Sequence, residues 1–403
     1  MKERNGQRAK RKRQTCFRFL IAIVLILTAV QDVRGRDPAL FGDDLDPESL
    51  HGAIHRSLEF LEKVPPDRLV GSEPRSLTAG EVRESLLEFM NLLKLWNRPK
   101  ILDSEIRSRF EIHRYGDTRT GRVLFTGYYQ PVIEGSLVET PVYRYPIYRK
   151  PDDLVEVEPS DLGGERVVGR IDGGGLVPYP SRHEIDGRGA LRGKGYEIAW
   201  VKDPIGLFFL HIQGSGLLRL EDGRLLPINY AASNGRPYRS IGKLLIDRGK
   251  IPEQGLSMQG LSRYLKEFPG ERDALFAENE AYVFFRFGED GPLGSLGVPL
   301  TAGRSIATDR QLFPKGAVAF IVSRRPVLKP SGELVGWKPF TRFVLNQDTG
   351  SAVRGKRRVD LYFGSGDKAG EAAGVMRAYG TIYFLLKKKV PKNYPRSFPP
   401  KMP

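Results

Sequence analysis

The chain has 403 residues, 40% hydrophobic and 28% charged, with a formal net charge of +16. That length allows two or three domains, and the composition is that of a globular protein without 20–50-residue repeats or long low-complexity tracts. Forty-five glycines, 29 prolines and many short Val/Ile/Tyr/Phe runs point to a β-rich fold with many turns. Residues 1–34 hold nine Lys/Arg against two Asp/Glu, which leaves +9 on the remaining 369 residues. A moderately basic body suits an acidic partner: a nucleic acid, an anionic membrane or a carboxylate-bearing wall polymer. Charge alone does not choose among them.

In chain order, the first element is "MKERNGQRAKRKRQTCFR", a basic stretch before the twelve-residue apolar run "FLIAIVLILTAV" at 19–30. The run is short for a bilayer-spanning helix and has the length of a secretory h-region, so export is expected. The only cysteine, Cys16, precedes the run, where a lipid-modified cysteine would follow it. The exported part then has no disulfide and no cysteine nucleophile. Residues 36–46 form a polar lead-in. "DPESLHGAIHRSLEFLEKV" carries Leu50, Ile54, Leu58 and Leu61 at helical spacing and stops at Pro65-Pro66. His51 and His55 stand at i, i+4, but no H-E-x-x-H surrounds them and no third ligand is evident, so they read as surface histidines. "TAGEVRESLLEFMNLLKLW" (78–96) is a second amphipathic helix, with Val82, Leu86, Met90 and Leu93 in a stripe and Thr78 as its cap.

From about 106 the pattern changes to strands. "RFEIHRYG" and "GRVLFTGYYQPVIEGS" flank a D-T-R-T-G turn and predict a hairpin. "YRYPIYRKP" and "ERVVGRI" follow. "YEIAWVKDPIGLFFLHIQGSGLLRLEDGRLLPINYAAS" reads as three strand-like runs. "SIGKLLIDRG" and "LSRYLKEFPGERDALF" are helical. "AYVFFRF", "GAVAFIVSR", "TRFVLNQD", "VDLYFGSG" and "GTIYFLLKK" are strands again, and "VPKNYPRSFPPKMP" is a basic, Pro-rich tail.

Three stretches hold what a saccharide site needs. "FTGYYQP" supplies Thr126, Gly127, Tyr128 and Tyr129; "HIQGSG" supplies Gln213, Gly214 and Ser215; "NYAASNGRPYRSIG" adds Asn234 and arginines. Aromatic faces stack on sugar C–H surfaces, while amides and hydroxyls pair with sugar hydroxyls. Each stretch alone also reads as core aromatics or a turn. Ser215 lacks the G-x-S-x-G elbow, and the five histidines offer no triad context. Glycosidic chemistry needs less: a single placed carboxyl group can protonate the leaving oxygen and later accept a proton. "NQDTGSAVRGKRRVDLYFGSGDKAG" (346–370) holds three candidates. Asp348 and Asp367 sit in turn-like D-T-G and S-G-D contexts. Asp360 lies inside a strand, where it shares a face with Tyr362 and opposes Val359, Leu361 and Phe363.

These blocks, with "YPIYRKP", "YPSRHEI", "AWVKDPIGLFFLHIQGSG", "NEAYVFFRF", "VPLTAGRSIATD" and "LFPKGAVAFI", run in order over roughly residues 106–386. In them the chain resembles the membrane-bound lytic murein transglycosylase A family of bacteria. The resemblance implies a mainly β fold: a double-psi β-barrel with N-terminal helices, interrupted by a second, smaller β-domain, with a sugar groove between them. The implied boundaries are an export segment at 1–35, the barrel domain at 36–130 and 241–390, the inserted domain at 131–240 and a tail at 391–403. A "3D" module at about 310–388 is named for three aspartates, here Asp348, Asp360 and Asp367. The implied reaction cleaves the β-1,4 bond between N-acetylmuramic acid and N-acetylglucosamine in peptidoglycan without water, giving a 1,6-anhydro end. The resemblance makes Asp360 the catalyst and Asp348 its support. Asp367 remains a turn residue, and Tyr362 joins the substrate-binding set. No cofactor or metal is required. The partners expected are glycan strands and other cell-wall enzymes, not nucleic acid, with the protein a monomer. It would be periplasmic or membrane-attached facing the wall, and not a lipoprotein by this signal. Two alternatives stay open: an inverting hydrolase, with Asp348 as base and carboxyls about 6.5–9.5 Å apart, and a non-catalytic wall-binding module.

Overall fold

The computed structural model describes residues 41–389 except 118, 158–166, 253–257, 289–290 and 351–352. The expected export segment and tail lie outside the described residues. The helices are α1 (Pro47–Glu62), α2 (Ala79–Leu92), α3 (Pro99–Arg109), α4 (Pro204–Gln213), α5 (Ile241–Asp247), α6 (Met258–Glu267), α7 (Pro269–Ala277) and α8 (Asp367–Val375). The early strands are β1 (Leu69–Gly71), β2 (Leu77–Thr78), β3 (Phe110–Tyr115), β4 (Val123–Gln130), β5 (Val132–Ser136), β6 (Tyr145–Tyr148), β7 (Val155–Val157), β8 (Val167–Asp172) and β9 (Gly175–Pro178). The later ones are β10 (Glu197–Val201), β11 (Ser215–Arg219), β12 (Leu225–Ser233), β13 (Val283–Phe287), β14 (Ser305–Thr308), β15 (Val318–Leu328), β16 (Leu334–Thr349), β17 (Arg358–Ser365) and β18 (Arg377–Lys387).

The fold is mainly β. Among the described residues six strands close into a barrel in the order β15-β16-β14-β17-β4-β18, and β18 returns to β15. Alternation decides which side chains enter it: Phe125, Ile306, Phe320, Phe343, Val359, Leu361 and Phe384 are buried in one core, which α1 and α2 share. Both helices carry the local signals their sequences announce. Asp46 caps α1 by accepting from Ser49 N, with proline at the first position, and Thr78 with Glu81 forms a capping box on α2. The expected hairpin of β3 and β4 is not formed. β18 lies between them and pairs with both, because its run Thr381–Leu386, buried on both faces, belongs inside the barrel wall where a β3–β4 pair would leave an edge.

Strands β13-β12-β11-β5-β10-β6 make a second sheet, and β7-β8-β9 a small third one. "PIGLFFLHIQ", expected as a strand, is helix α4. Asp203 caps it, Pro204 opens it, and Gly214 closes it at φ 77°. Leu207 and Leu210 pack on the second sheet, while Ile205 and Phe208 pack on α5–α7. A helix covered on both sides has no polar face, so its apolar run looks like a buried strand. Since β12 pairs with β13, and α5–α7 pack on α4, residues 241–287 belong with the second sheet rather than with the barrel. Helix α8, unanticipated, lies against the ends of β4 and β17. It makes Asp367 the first residue of a helix instead of a turn residue.

Candidate active site

The three carboxylates of the 346–370 stretch are sorted by the barrel ladder. On β14, Ala307 pairs in parallel with Asp348 of β16 and antiparallel with Asp360 of β17. Asp360 in turn stands opposite Thr126 of β4, and Thr126 opposite Arg377 of β18. Directly opposed residues share a sheet face. The row Asp348–Ala307–Asp360–Thr126–Arg377 therefore lines one face across five strands. At one strand spacing per step, the two aspartate backbones are about 10 Å apart. A register slip in β16 sets aside Gln347, so that Asp348 comes opposite Ala307. Gln347 is itself buried, donating to Ala53 O at 2.7 Å and Ser57 Oγ at 3.0 Å, which anchors the slip to α1.

Asp360 keeps 14% of its side chain exposed. Its Oδ1 accepts a hydrogen bond from Thr126 Oγ1 and another from Arg358 Nε at 3.0 Å; Oδ2 accepts from Arg358 Nη2 at 3.3 Å. Arg358 Nε also donates to Thr126 Oγ1 at 3.2 Å. Asp348 is held differently. Its Oδ1 accepts from the backbone N–H of Ser295 and of Thr349, both at 2.8 Å. Burial nonetheless dominates and pushes this carboxyl up to about 6. Tyr128, on the same face, is close enough to both acids to feel their charge, and its ring lies 5.2 Å from that of Tyr362. Its buried hydroxyl has no hydrogen bond of good geometry. Burial first, then the charge of Asp348, drives its pKa well up, so it remains a neutral phenol. Tyr362, pushed up to about 12 by burial, has its hydroxyl 3.3 Å from Ser365 Oγ. Ser365 donates to Gln130 Oε1 at 2.6 Å, and Gln130 Nε2 donates to Gly216 O at 3.1 Å. This chain of bonds ties the barrel strands to the second sheet.

The residues expected at the site fall into three groups. Thr126, Tyr128, Asp348 and Tyr362 gather around Asp360. Gly127 and Tyr129 point to the opposite face of β4. A Cβ on Gly127 would lie 2.7 Å from Ala373 Cα, and one on Gly370 would lie 2.7 Å from the Tyr129 ring. Both residues serve the seating of α8, and Gly127 is there for close approach, not for flexibility. Gln213, Gly214 and Ser215 are the C-terminal cap of α4 and the first residue of β11. Gln213 Oε1 accepts from Tyr129 N at 3.1 Å, which brings this corner to the end of β4. Asn234 is a correction. It is buried, its amide donates to Pro180 O and Glu280 O, and its carbonyl accepts from Tyr282 N and Arg236 N. Every polar position of that side chain is occupied within the fold, so none is left for a sugar. Three further residues belong to the neighbourhood: Arg358, Arg377, and Tyr238, close enough to Arg358 to feel its charge. Arg358 had a legible signal, since period two on a strand places it on the face of Asp360.

The model of the MltA specific insert domain matches residues 124–286, and that of the 3D domain matches residues 304–386. The chain is 32% identical over 288 residues to a membrane-bound lytic murein transglycosylase A of Vibrio cholerae, covering 71% of each protein. It is 35% identical over 276 residues to the protein of that name in Escherichia coli K12, covering 67% of each. Among solved structures, a membrane-bound lytic murein transglycosylase from Agrobacterium tumefaciens superposes with a TM-score of 0.71 at 35% identity, over 85% of this chain and 93% of that one. The E. coli MltA with bound chitohexaose superposes with a TM-score of 0.66 at 28% identity, over 89% and 94%. Barrel, paired acids and these likenesses agree: the chain belongs to the membrane-bound lytic murein transglycosylase A family.

Proposed function

We propose that Asp360 is the acid–base group of this peptidoglycan lytic transglycosylase. The observation that carries the reading is the ladder row in which Asp360 and Asp348 flank Ala307, with Thr126 and Arg358 bonded to Asp360. The substrate is a glycan strand of alternating N-acetylglucosamine and N-acetylmuramic acid. Asp360, protonated when the strand is bound, donates its proton to the oxygen of the MurNAc-β-1,4-GlcNAc bond. As that C–O bond breaks, the muramyl ring flattens toward an oxocarbenium-like state. The Asp360 carboxylate then takes the proton of the muramyl C6 hydroxyl, whose oxygen closes on C1 to form the 1,6-anhydro ring. No water enters the product. Proton transfer of this kind contributes on the order of 10²–10⁴-fold. An already tethered C6 hydroxyl adds the advantage of an intramolecular nucleophile. Asp348, anchored by two backbone amides, shapes the field across Tyr128 and Ala307. Gln213 and Ser215, at the corner beside β4, supply hydrogen bonds to the strand, and Tyr362 supports the site wall.

The bound chitohexaose of the E. coli relative supports a glycan as ligand. Three finer points belong to the same reading: the barrel has double-psi topology, the body containing the second sheet is a domain inserted into it, and the protein is exported and faces the cell wall. The test is mass spectrometry of purified murein sacculi digested by wild type and by Asp360→Asn. Wild type is expected to give ends lighter by one water than a reducing end, and the variant almost none. Reducing ends from wild type would move the protein to the hydrolase reading, with Asp348 as base.

A further inference from the structure

The row of acids has a neighbouring row on each side, and both share its sheet face. Strand β4 runs on through Gln130 and Pro131 into β5 of the second sheet, so its later residues are the nearer ones to that sheet. On that side Tyr128 of β4 stands opposite Tyr362 of β17. On the side away from it, Leu124 of β4 stands opposite both Arg358 of β17 and Tyr379 of β18. The first of these rows belongs to the site already described. The second ends in a side chain that the reaction does not use: Tyr379 is 57% exposed.

Single exposed aromatics are ordinary on a protein surface, and most face only water. Tyr379 is set apart by its place and its bracing. It lies two strands across and one row along from Asp360, about 12 Å away over the wall. Arg122, diagonal to it just before β4, holds its guanidinium over the ring at 5.4 Å from the centroid. The cation fixes the ring, and the exposure leaves it open to solvent. Leu124 beside it is half-buried, so the row presents apolar surface up to the edge of the acids. At the far end of the row Arg358 is engaged by Asp360, and Tyr238 is close enough to feel its charge.

A pyranose ring fits such a surface. Its C–H face carries slight positive charge and lies against the negative face of an aromatic ring. Tyr379 is too far from Asp360 to touch the sugar whose bond is broken, and near enough for sugars further along the same strand. We propose that Tyr379 is the platform of a saccharide subsite on the side of the acid row away from the second sheet, where it stacks on a sugar ring of the bound glycan strand. The inference rests on the reading of Asp360 as acid–base group and makes strand length part of substrate selection. A contact remote from the reacting bond holds ground state and transition state alike, so Tyr379 acts through KM and not through kcat.

The experiment measures release of anhydro product by the full chain from peptide-free glycan strands of increasing length, for wild type, Tyr379→Phe and Tyr379→Ile. Phenylalanine keeps the ring; isoleucine keeps an apolar strand former without it. Tyr379→Ile is expected to match wild type on the shortest strand that is cut. On long strands it should fall about three- to tenfold below wild type in kcat/KM, the scale of one aromatic contact, with KM raised and kcat kept. Tyr379→Phe should follow wild type at every length. Should isoleucine prevent folding, Tyr379→Thr, also a strand former, takes its place. Binding of long strands to the Asp360→Asn chain, with and without Tyr379→Ile, reads the platform without any reaction and should weaken by the same factor. No loss in the ring-less variant, a loss equal at every length, or a loss in kcat alone would overturn the subsite. Failure of the underlying reading shows separately in product mass, as reducing ends at every strand length in wild type and variants alike.

Discussion

Asp360 and Asp348 are two carboxyl groups on one sheet face, yet their surroundings differ. The first is gripped by a guanidinium and a hydroxyl; the second is held by backbone amides in a site dry enough to push it up to about 6. Asp360→Asn keeps the shape while removing the proton, so it should fold, bind glycan strands and release almost no anhydromuropeptide. Asp348→Asn should leave measurable activity. The reverse pattern, with product lost in Asp348→Asn and kept in Asp360→Asn, would exchange their roles. A stability measurement adds an independent check on Asp348. Its folded pKa lies above the ordinary 3.8, so the native state holds its proton more tightly than the unfolded chain does. That contribution is full below about pH 4 and is lost as pH rises through about 6. Asparagine can still accept both backbone bonds on Oδ1 and carries no charge. Urea denaturation should find Asp348→Asn more stable than wild type at pH 8, with the gap closing by pH 4. At this scale the sequence made Asp360 and its strand face legible, whereas Asp348, expected in a turn, lies within β16. The sequence did not expose Asn234, because three of its partners, Pro180, Glu280 and Tyr282, lie more than forty residues away.

At the scale of elements, legibility followed polarity. Helices α1 and α2 each have one wet face, and their sequences announced it, together with the stop of α1 at Pro65-Pro66 and the Thr78 cap of α2. Strand β17 alternates over its first residues, and the split of Val359 and Leu361 from Asp360 and Tyr362 was readable from period two alone. Helix α4 is apolar on both flanks, and helix α8 is the glycine- and alanine-rich "DKAGEAAGV"; neither pattern carries a helical period. What seats α8 is visible only in three dimensions. Gly127 gives up its side chain so that Ala373 can approach β4. Gly127→Ala should therefore force α8 or Phe363 to shift, at a cost of about 1–3 kcal/mol. Because Gly127 is bonded between Thr126 and Tyr128, the variant should also lose anhydro product out of proportion to its stability loss. Urea denaturation paired with the sacculus assay checks both effects, and an enzyme with unchanged midpoint and unchanged product would contradict the packing role.

On the scale of the whole molecule, pieces far apart in sequence are closed into a single barrel, and the polar lead-in before α1 is part of the closure. Arg304, fully buried, pairs with Asp43 at 2.6 Å and donates to Ser49 Oγ, Asp46 O and Phe343 O. Arg342 forks onto Asp44 at 2.8 and 2.9 Å. Asp43→Ala would strand the Arg304 charge in the core and should cost about 3–5 kcal/mol, read from the denaturation midpoint; a change below 1 kcal/mol would show that this stretch is merely laid on the surface. The role of β18 has a consequence for how the protein comes into being. It is the last of the described strands, and it pairs with β3, β4 and β15 at once. Thr126 must wait for a partner 234 residues downstream. A newly made chain thus carries β3 without its partner, and β4 without β17 and β18, until those strands have emerged, and contacts of such span close slowly. The row of acids is aligned only once β18 has joined the barrel: a nascent or truncated molecule that ends before Arg377 carries the acids without the strand that closes the wall around them, and should release no anhydro product.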